Sequence, residues 1–305
     1  MSSSQPQHPE PAGWFGHGVI LALGATLWFL CGTYPAELPA WLPFEFVWSD
    51  YLVCALSLYW FARGLLRLPR VERPPLWRCL SFVLGLVWIY AVLQTRIDYY
   101  ALHMFWVHRA QHFVLHHSGA FLIALGAAGP VVGAGMPAFL RVLLGSWPVR
   151  RLVDVIQHPA VAPVLFVGLI YLWLVPEIHT RVMLDTRLYN LMNASMAVDG
   201  IFFWCLILDH RPCPPARIGN GLRALLVLAV EPFQMVLGAI LSLSNRDFYP
   251  VYRICGRLWD IPAISDMHFG GLIIWLPSTL TSFAGVIVVL VTMRLNDEAA
   301  EAAAG

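Results

Sequence analysis

An all-α integral membrane bundle of about eight transmembrane helices, with seven as the alternative, is the fold class that the sequence predicts. Three observations carry that expectation. Of 305 residues, 59% are apolar and only 12% charged, whereas about a quarter of the residues in a soluble domain are charged. Eight stretches, at 15–31, 46–66, 76–95, 100–128, 158–176, 187–209, 219–244 and 267–293, approach the roughly 20 apolar residues that cross a bilayer as helix. No alternating segment is long enough to suggest a barrel. The basic residues are all Arg, and 19 of them stand against 18 acidic ones. That balance excludes a nucleic-acid binder with a phosphate-neutralising face, and the apolar content excludes a disordered chain.

Taken in order, the first thirteen residues, MSSSQPQHPEPAG, carry no basic n-region, and no A-x-A cleavage pattern follows. The first apolar run is therefore read as a retained helix after a disordered cytoplasmic segment at 1–13. A single bundle is expected over 14–294, and a short acidic, Ala-rich cytoplasmic tail over 295–305. The separators ELPAWLPFE, RLPRVERPP, DHRPCPPAR and SNRDFYPVYR are rich in Pro and Arg, as helix-breaking loops are. Twelve Arg fall in the second, fourth and sixth loops and the tail, and seven in the other loops. Because basic residues mark the cytoplasmic side, both termini are expected there.

That orientation puts most ligand-type side chains at the external face. Met104, His108, His112 and His116 are four apart, so on one helix they form a ridge along which neighbouring imidazoles can reach a common ion. The competing reading has these imidazoles donating to backbone carbonyls, or to Tyr and Trp at the interface. Five His within fifteen residues, at membrane depth where ionisable groups are costly, favour the ion. Gln111 flanks the ridge and could orient an imidazole. Asp266-Met267-His268 opens the last helix with a carboxylate, a thioether and an imidazole, a set that suits copper, with zinc or iron also admitted; Asp266 also reads as a helix cap. His179, four residues before Met183, reads as a solvated loop His or a further ligand. Asp199 and Glu231 sit within spans, either hydrogen-bonded to each other or to Asn193, or lining a path for a proton or metal ion. Six scattered Cys form no C-x-x-C pair, and a Cys31–Cys255 pairing is left open. No Walker A loop, G-x-S-x-G elbow, H-E-x-x-H helix or C-x-x-C-H haem site is present, so no enzyme is expected.

Several of these segments resemble the CtaG-like cytochrome c oxidase assembly proteins, a family of polytopic membrane proteins. The family's H-M-x-Q-H stretch resembles His108-Arg109-Ala110-Gln111-His112, which leads to L-G-A-A-G-P. Its W-H-x-P element resembles Trp173-Leu174-Val175-Pro176, its F-W ending resembles Phe203-Trp204, and its D-Q-Q-x-G-G-x-x-W element resembles the stretch from Asp266 to Trp275. The matches run from Leu76 to Pro277. Departures fall on Arg109, Leu174, Asn193 and the Met267-His268 pair, so two family-type ligands are missing and two are new.

The resemblance implies a non-enzymatic factor of the bacterial inner membrane that assists a haem–copper oxidase. Its implied partners are respiratory oxidase subunits, external copper chaperones and the lipid bilayer. Joined to the residue reading, it makes copper the expected ion. His108, His112 and His268 are the expected ligands, Met267 and Met104 soft auxiliaries, His116 and His179 further candidates, and Asp266 a ligand or its support. The rivals are a copper or proton transporter, a b-type haem subunit, and a chaperone that binds only protein.

Overall fold

The structure, a computed structural model, describes residues 12–304. The expectation of disorder at 1–13 therefore lies, up to position 11, outside the described residues. Every regular element among them is helical: α1 (Ala12–Thr33), α2 (Trp48–Arg67), α3 (Leu76–Leu93), α4 (Arg96–His103), α5 (Phe105–Phe113), α6 (Gly119–Gly126), α7 (Gly129–Gly135), α8 (Ala138–Leu144), α9 (Trp147–Ile156), α10 (Ala162–Leu174), α11 (Pro176–Met183), α12 (Thr186–Ile207), α13 (Asn220–Leu243), α14 (Val251–Ile254) and α15 (Ala263–Ala304). Large apolar side chains such as Leu225, Phe233, Leu280 and Ile287 face outward, the surface a lipid solvent requires. The chain is a membrane protein.

Among the described residues five helices are long and apolar enough to span a bilayer, and two bent pairs bring the number to as many as seven. The expected eighth is α2. It has 20 residues, but Asp50, Arg63 and Arg67 lower its apolar content, so length and composition support five to seven spans. The bent pairs have local causes. Pro176 opens α11 at a 74° angle to α10, because proline lacks the N–H and clashes with the preceding turn of a continuing helix. At the other bend, Ala127 takes a left-handed conformation between α6 and α7. The segment expected as one span at 100–128 is also divided near its start, with α4 ending at His103 and α5 starting at Phe105.

Contacts between loops sort them into two sets. Arg96 donates to the carbonyls of Pro35 and Leu38, His103 to the Gly256 carbonyl, and Tyr252 to His179, which ties the first, third, fifth and seventh loops together. Arg78 donates to His210, Arg217 pairs with Asp154, and Arg67 donates to the Ala134 carbonyl, which ties the second, fourth and sixth. The two sets are the Arg-poor and Arg-rich groups of loops. In the middle, α13 runs against α15 so closely that a Cβ on Gly238 would lie 2.9 Å from the Gly271 carbonyl oxygen. Helix α5 packs on the same α15. The polar site lies where α5, α12, α13 and α15 converge.

Candidate functional site

The position of α5 is set from across the bundle. Asp266, fully buried near the start of α15, accepts from the backbone N–H groups of Phe105 (3.0 Å) and Trp106 (2.8 Å) and pairs with Arg257. A helix start leaves four such N–H groups without internal partners. The carboxylate satisfies two of them and fixes where α5 begins. Asp266 is thus a cap, as expected, but of α5 rather than of its own helix.

Beyond Phe113 the chain takes one π turn, Val114–Ser118. A π turn closes i to i+5, so it rotates later side chains off an i, i+4 ridge. Of the expected ridge of four, one facing pair remains. His108 and His112 bring their Nε2 atoms to 3.1 Å. His116 swings toward α12, where its Nε2–H donates to Asp199 Oδ2 at 3.0 Å, and its carbonyl accepts from the Trp204 indole at 3.2 Å. Gly200 permits this approach, since a Cβ there would lie 2.5 Å from the His116 carbonyl oxygen. Met104 sits in the break before α5 and packs with Ala101 and Val107.

A buried hydrogen-bond chain assigns the protons around the pair. A carbonyl can only accept, so His179 Nδ1–H donates to the Trp173 carbonyl (2.9 Å). In a neutral imidazole that leaves Nε2 as an acceptor. The Tyr252 hydroxyl donates to it (3.0 Å), and the Tyr252 oxygen accepts from His108 Nδ1–H (2.8 Å). Every proton on this path is then committed, and His108 Nε2 carries a lone pair aimed at His112. His112 Nε2 also faces the Asn193 amide oxygen at 3.1 Å. Two nitrogens at this separation can both reach one ion at the ordinary bond length of ~2.0–2.1 Å. Among the described residues no group of three His, Cys, Asp or Glu is placed to hold a metal. The third donor beside the pair is the amide oxygen of Asn193.

The remaining expected residues go elsewhere. His268 points away from the pair, with its Nε2–H on the Ser244 carbonyl at 2.8 Å. Met267 lies in the apolar core. Gln111 orients no imidazole. Its amide donates to the Val92 carbonyl and to Asp98, and accepts from Tyr189. His179 is fully buried rather than solvated. Asp199 and Glu231 are not paired with each other; Asp199 takes His116, and Glu231 accepts from Thr279 at 2.9 Å. Cys31 and Cys255 are both free thiols. Sequence reasoning missed Tyr252, on the short helix α14, and the inward placement of Arg109, His117 and Gln234. For Arg109 the signal was there: a charge in the middle of an imidazole-rich, lipid-depth helix.

Residues 59–295 match the family of cytochrome c oxidase caa3 assembly factors, Caa3_CtaG. Uncharacterized proteins of Mycobacterium bovis and Mycobacterium tuberculosis are each 30% identical over 233 residues, 72% of this chain and 34% of theirs. A protein of Mycobacterium leprae is 27% identical over 247 residues, 76% of this chain and 36% of its own. The chain thus spans about a third of the length of the curated relatives it matches. No solved structure matches it.

Proposed function

The chain belongs to the family of cytochrome c oxidase caa3 assembly factors, and from that premise we propose that it holds copper for the oxidase it helps assemble, on His108, His112 and Asn193. The observation that carries this reading is the lone pair on His108 Nε2, fixed by Tyr252 and facing a second imidazole nitrogen 3.1 Å away. Zinc ordinarily closes its shell with four ligands, or three and a water, drawn from thiolate, imidazole and carboxylate. Two imidazoles and an amide oxygen, with no thiolate or carboxylate alongside among the described residues, fall short of that shell, and such a nitrogen site binds divalent copper more tightly than zinc. The Arg partition supports a cytoplasmic side for the Arg-rich loops, and on that reading the His pair lies toward the external half of an inner membrane, where copper chaperones and oxidase subunits would meet it. The act is to hold and pass an ion, with no turnover.

The chemistry of loading follows from the protons already placed. His112 must bind through Nε2 with that nitrogen deprotonated. Its proton then resides on Nδ1, which in the structure has no partner and faces inward. The test is metal analysis of the purified protein with a visible spectrum, alongside assay of oxidase maturation. About one copper per chain is expected, with most of it lost in His108→Ala. Copper retained in His108→Ala removes the site. No copper in the wild type while maturation proceeds makes the protein a chaperone that binds only protein, and a Soret band makes it a haem protein.

A further inference from the structure

Below the copper pair, between α5, the π turn, α10, α13 and α15, lies a cavity with about 20 Å³ of room for the centre of a water-sized sphere. That is space for one water-sized ligand. Its polar wall is Arg109, His112, His116, His117 and Gln234, each at least nine-tenths buried. The Nε and Nη2 atoms of Arg109, the Nδ1 atoms of all three histidines, and both amide atoms of Gln234 have no hydrogen-bond partner. The rest of the wall is aliphatic or aromatic apart from Ser278.

We propose that this cavity is a binding site for one small monovalent anion of halide size, held by Arg109 and Gln234 with the inward nitrogen of His112.

Charge decides against a cation. Arg109 is a permanent positive charge, buried at membrane depth, and among the described residues no carboxylate pairs with it. The Phe105 ring lies 5.2 Å from its guanidinium carbon, a cation–π contact that offsets only part of the charge. Asp199, the carboxylate bonded to a residue of the cavity wall, is engaged by the far nitrogen of His116. A buried unpaired cation is strongly unfavourable, and an anion in the cavity neutralises it.

Donor chemistry agrees with the charge. Arg109 Nε–H, Arg109 Nη2–H and Gln234 Nε2–H can only donate, and the guanidinium pair has the fixed geometry of an anion clamp. His117 Nδ1, and His112 Nδ1 when the proton of that ring lies there, become further donors, whereas His116 keeps its proton on Nε2 for Asp199. Size points to the class: a space with this little room for a water-sized centre favours a halide over a phosphate or a carboxylated metabolite. The clamp of Arg109 and Gln234 stands whether or not copper binds at His108, and His112 Nδ1 joins it as a donor when the proton of that ring lies there.

The test uses the full-length protein in detergent. Its melting temperature is titrated with sodium chloride or bromide against sodium gluconate at equal ionic strength, and crystals grown in bromide are measured at the bromine edge. A saturable halide-specific rise is expected, together with a bromine peak beside the Arg109 guanidinium. The rise should vanish in Arg109→Met, a substitution of similar reach without the charge, and shrink in Gln234→Leu. Should Arg109→Met fail to fold, the bromine peak in the wild type still supports or overturns the proposal. Equal melting in halide and gluconate with no bromine peak means water alone fills the cavity and overturns it. A halide effect that survives in Arg109→Met, or a copper peak in the cavity, overturns it as well.

Discussion

The two halves of one histidine-bearing stretch solve opposite electrostatic problems. Above the π turn, His108 sits in a chain in which each proton has an acceptor, and the surplus is a lone pair. Below it, Arg109, His117 and Gln234 leave donors and a charge without partners. On the readings proposed above, the first would take a cation and the second an anion. His112 belongs to both, with Nε2 toward His108 and Nδ1 toward the cavity. A neutral imidazole has one proton for two nitrogens, so a cation on Nε2 makes Nδ1 a donor to the anion. If both proposed sites bind, their occupancy is thereby linked with positive sign.

The largest expected effect is in the residue the two regions share. His112→Ala should abolish copper binding and weaken the halide response together, whereas His268→Ala, whose ring is held by the Ser244 carbonyl, should keep both. Metal analysis and halide melting curves on the two variants settle this. If His268→Ala strips copper as thoroughly as His112→Ala does, the pair at α5 is not the site and the opening of α15 is.

A smaller effect is expected one bond away. Tyr252→Phe removes the hydroxyl that links His179 to His108 and leaves the packing of the ring intact. Loss of such an outer partner ordinarily costs about 10–100-fold in metal affinity. Copper affinity should fall in that range with no change in the halide response, since Tyr252 does not line the cavity. An unchanged affinity would mean that His108 is oriented by packing alone.

How much of this was legible beforehand differs by region too. The apolar stretches were plain, because a lipid solvent demands long uninterrupted runs, and so was the spacing of His108 and His112 on one face. The π turn was not. Whether residues 114–118 close i to i+4 or i to i+5 depends on what α12 offers, here Asp199, the Trp204 indole and the gap at Gly200. None of that is local to α5. The loss of His116 from the ridge followed from it. Asp266 was recognised as a capping type, but the helix it caps lies 160 residues away in the chain. His268 was placed on depth alone, and depth does not fix the direction in which a ring points.

The smallest effect expected lies at the edge of the upper region and concerns pH. Asp98 is on α4, outside the spans, and burial pushes its carboxyl up to about 7, against the opposing pull of its hydrogen bonds from Gln111 and Tyr189; Asp50 and Glu45 add to the rise. Both of those bonds go to Oδ1, which leaves Oδ2 to carry a proton. In the unfolded chain an Asp titrates near ~3.9. Between about pH 4 and 7 the folded state therefore holds a proton that the unfolded state has lost, so this residue's contribution to stability falls as pH rises through that window and is constant above it. Asp98→Asn cannot titrate and keeps an amide in place of the protonated acid. The melting temperature of the variant minus that of the wild type should thus climb from about pH 4 to about pH 7 and then level. A difference that is flat across the window would mean that Asp98 is ionised throughout, and that the Gln111–Tyr189 contacts bracing α5 are made to a carboxylate.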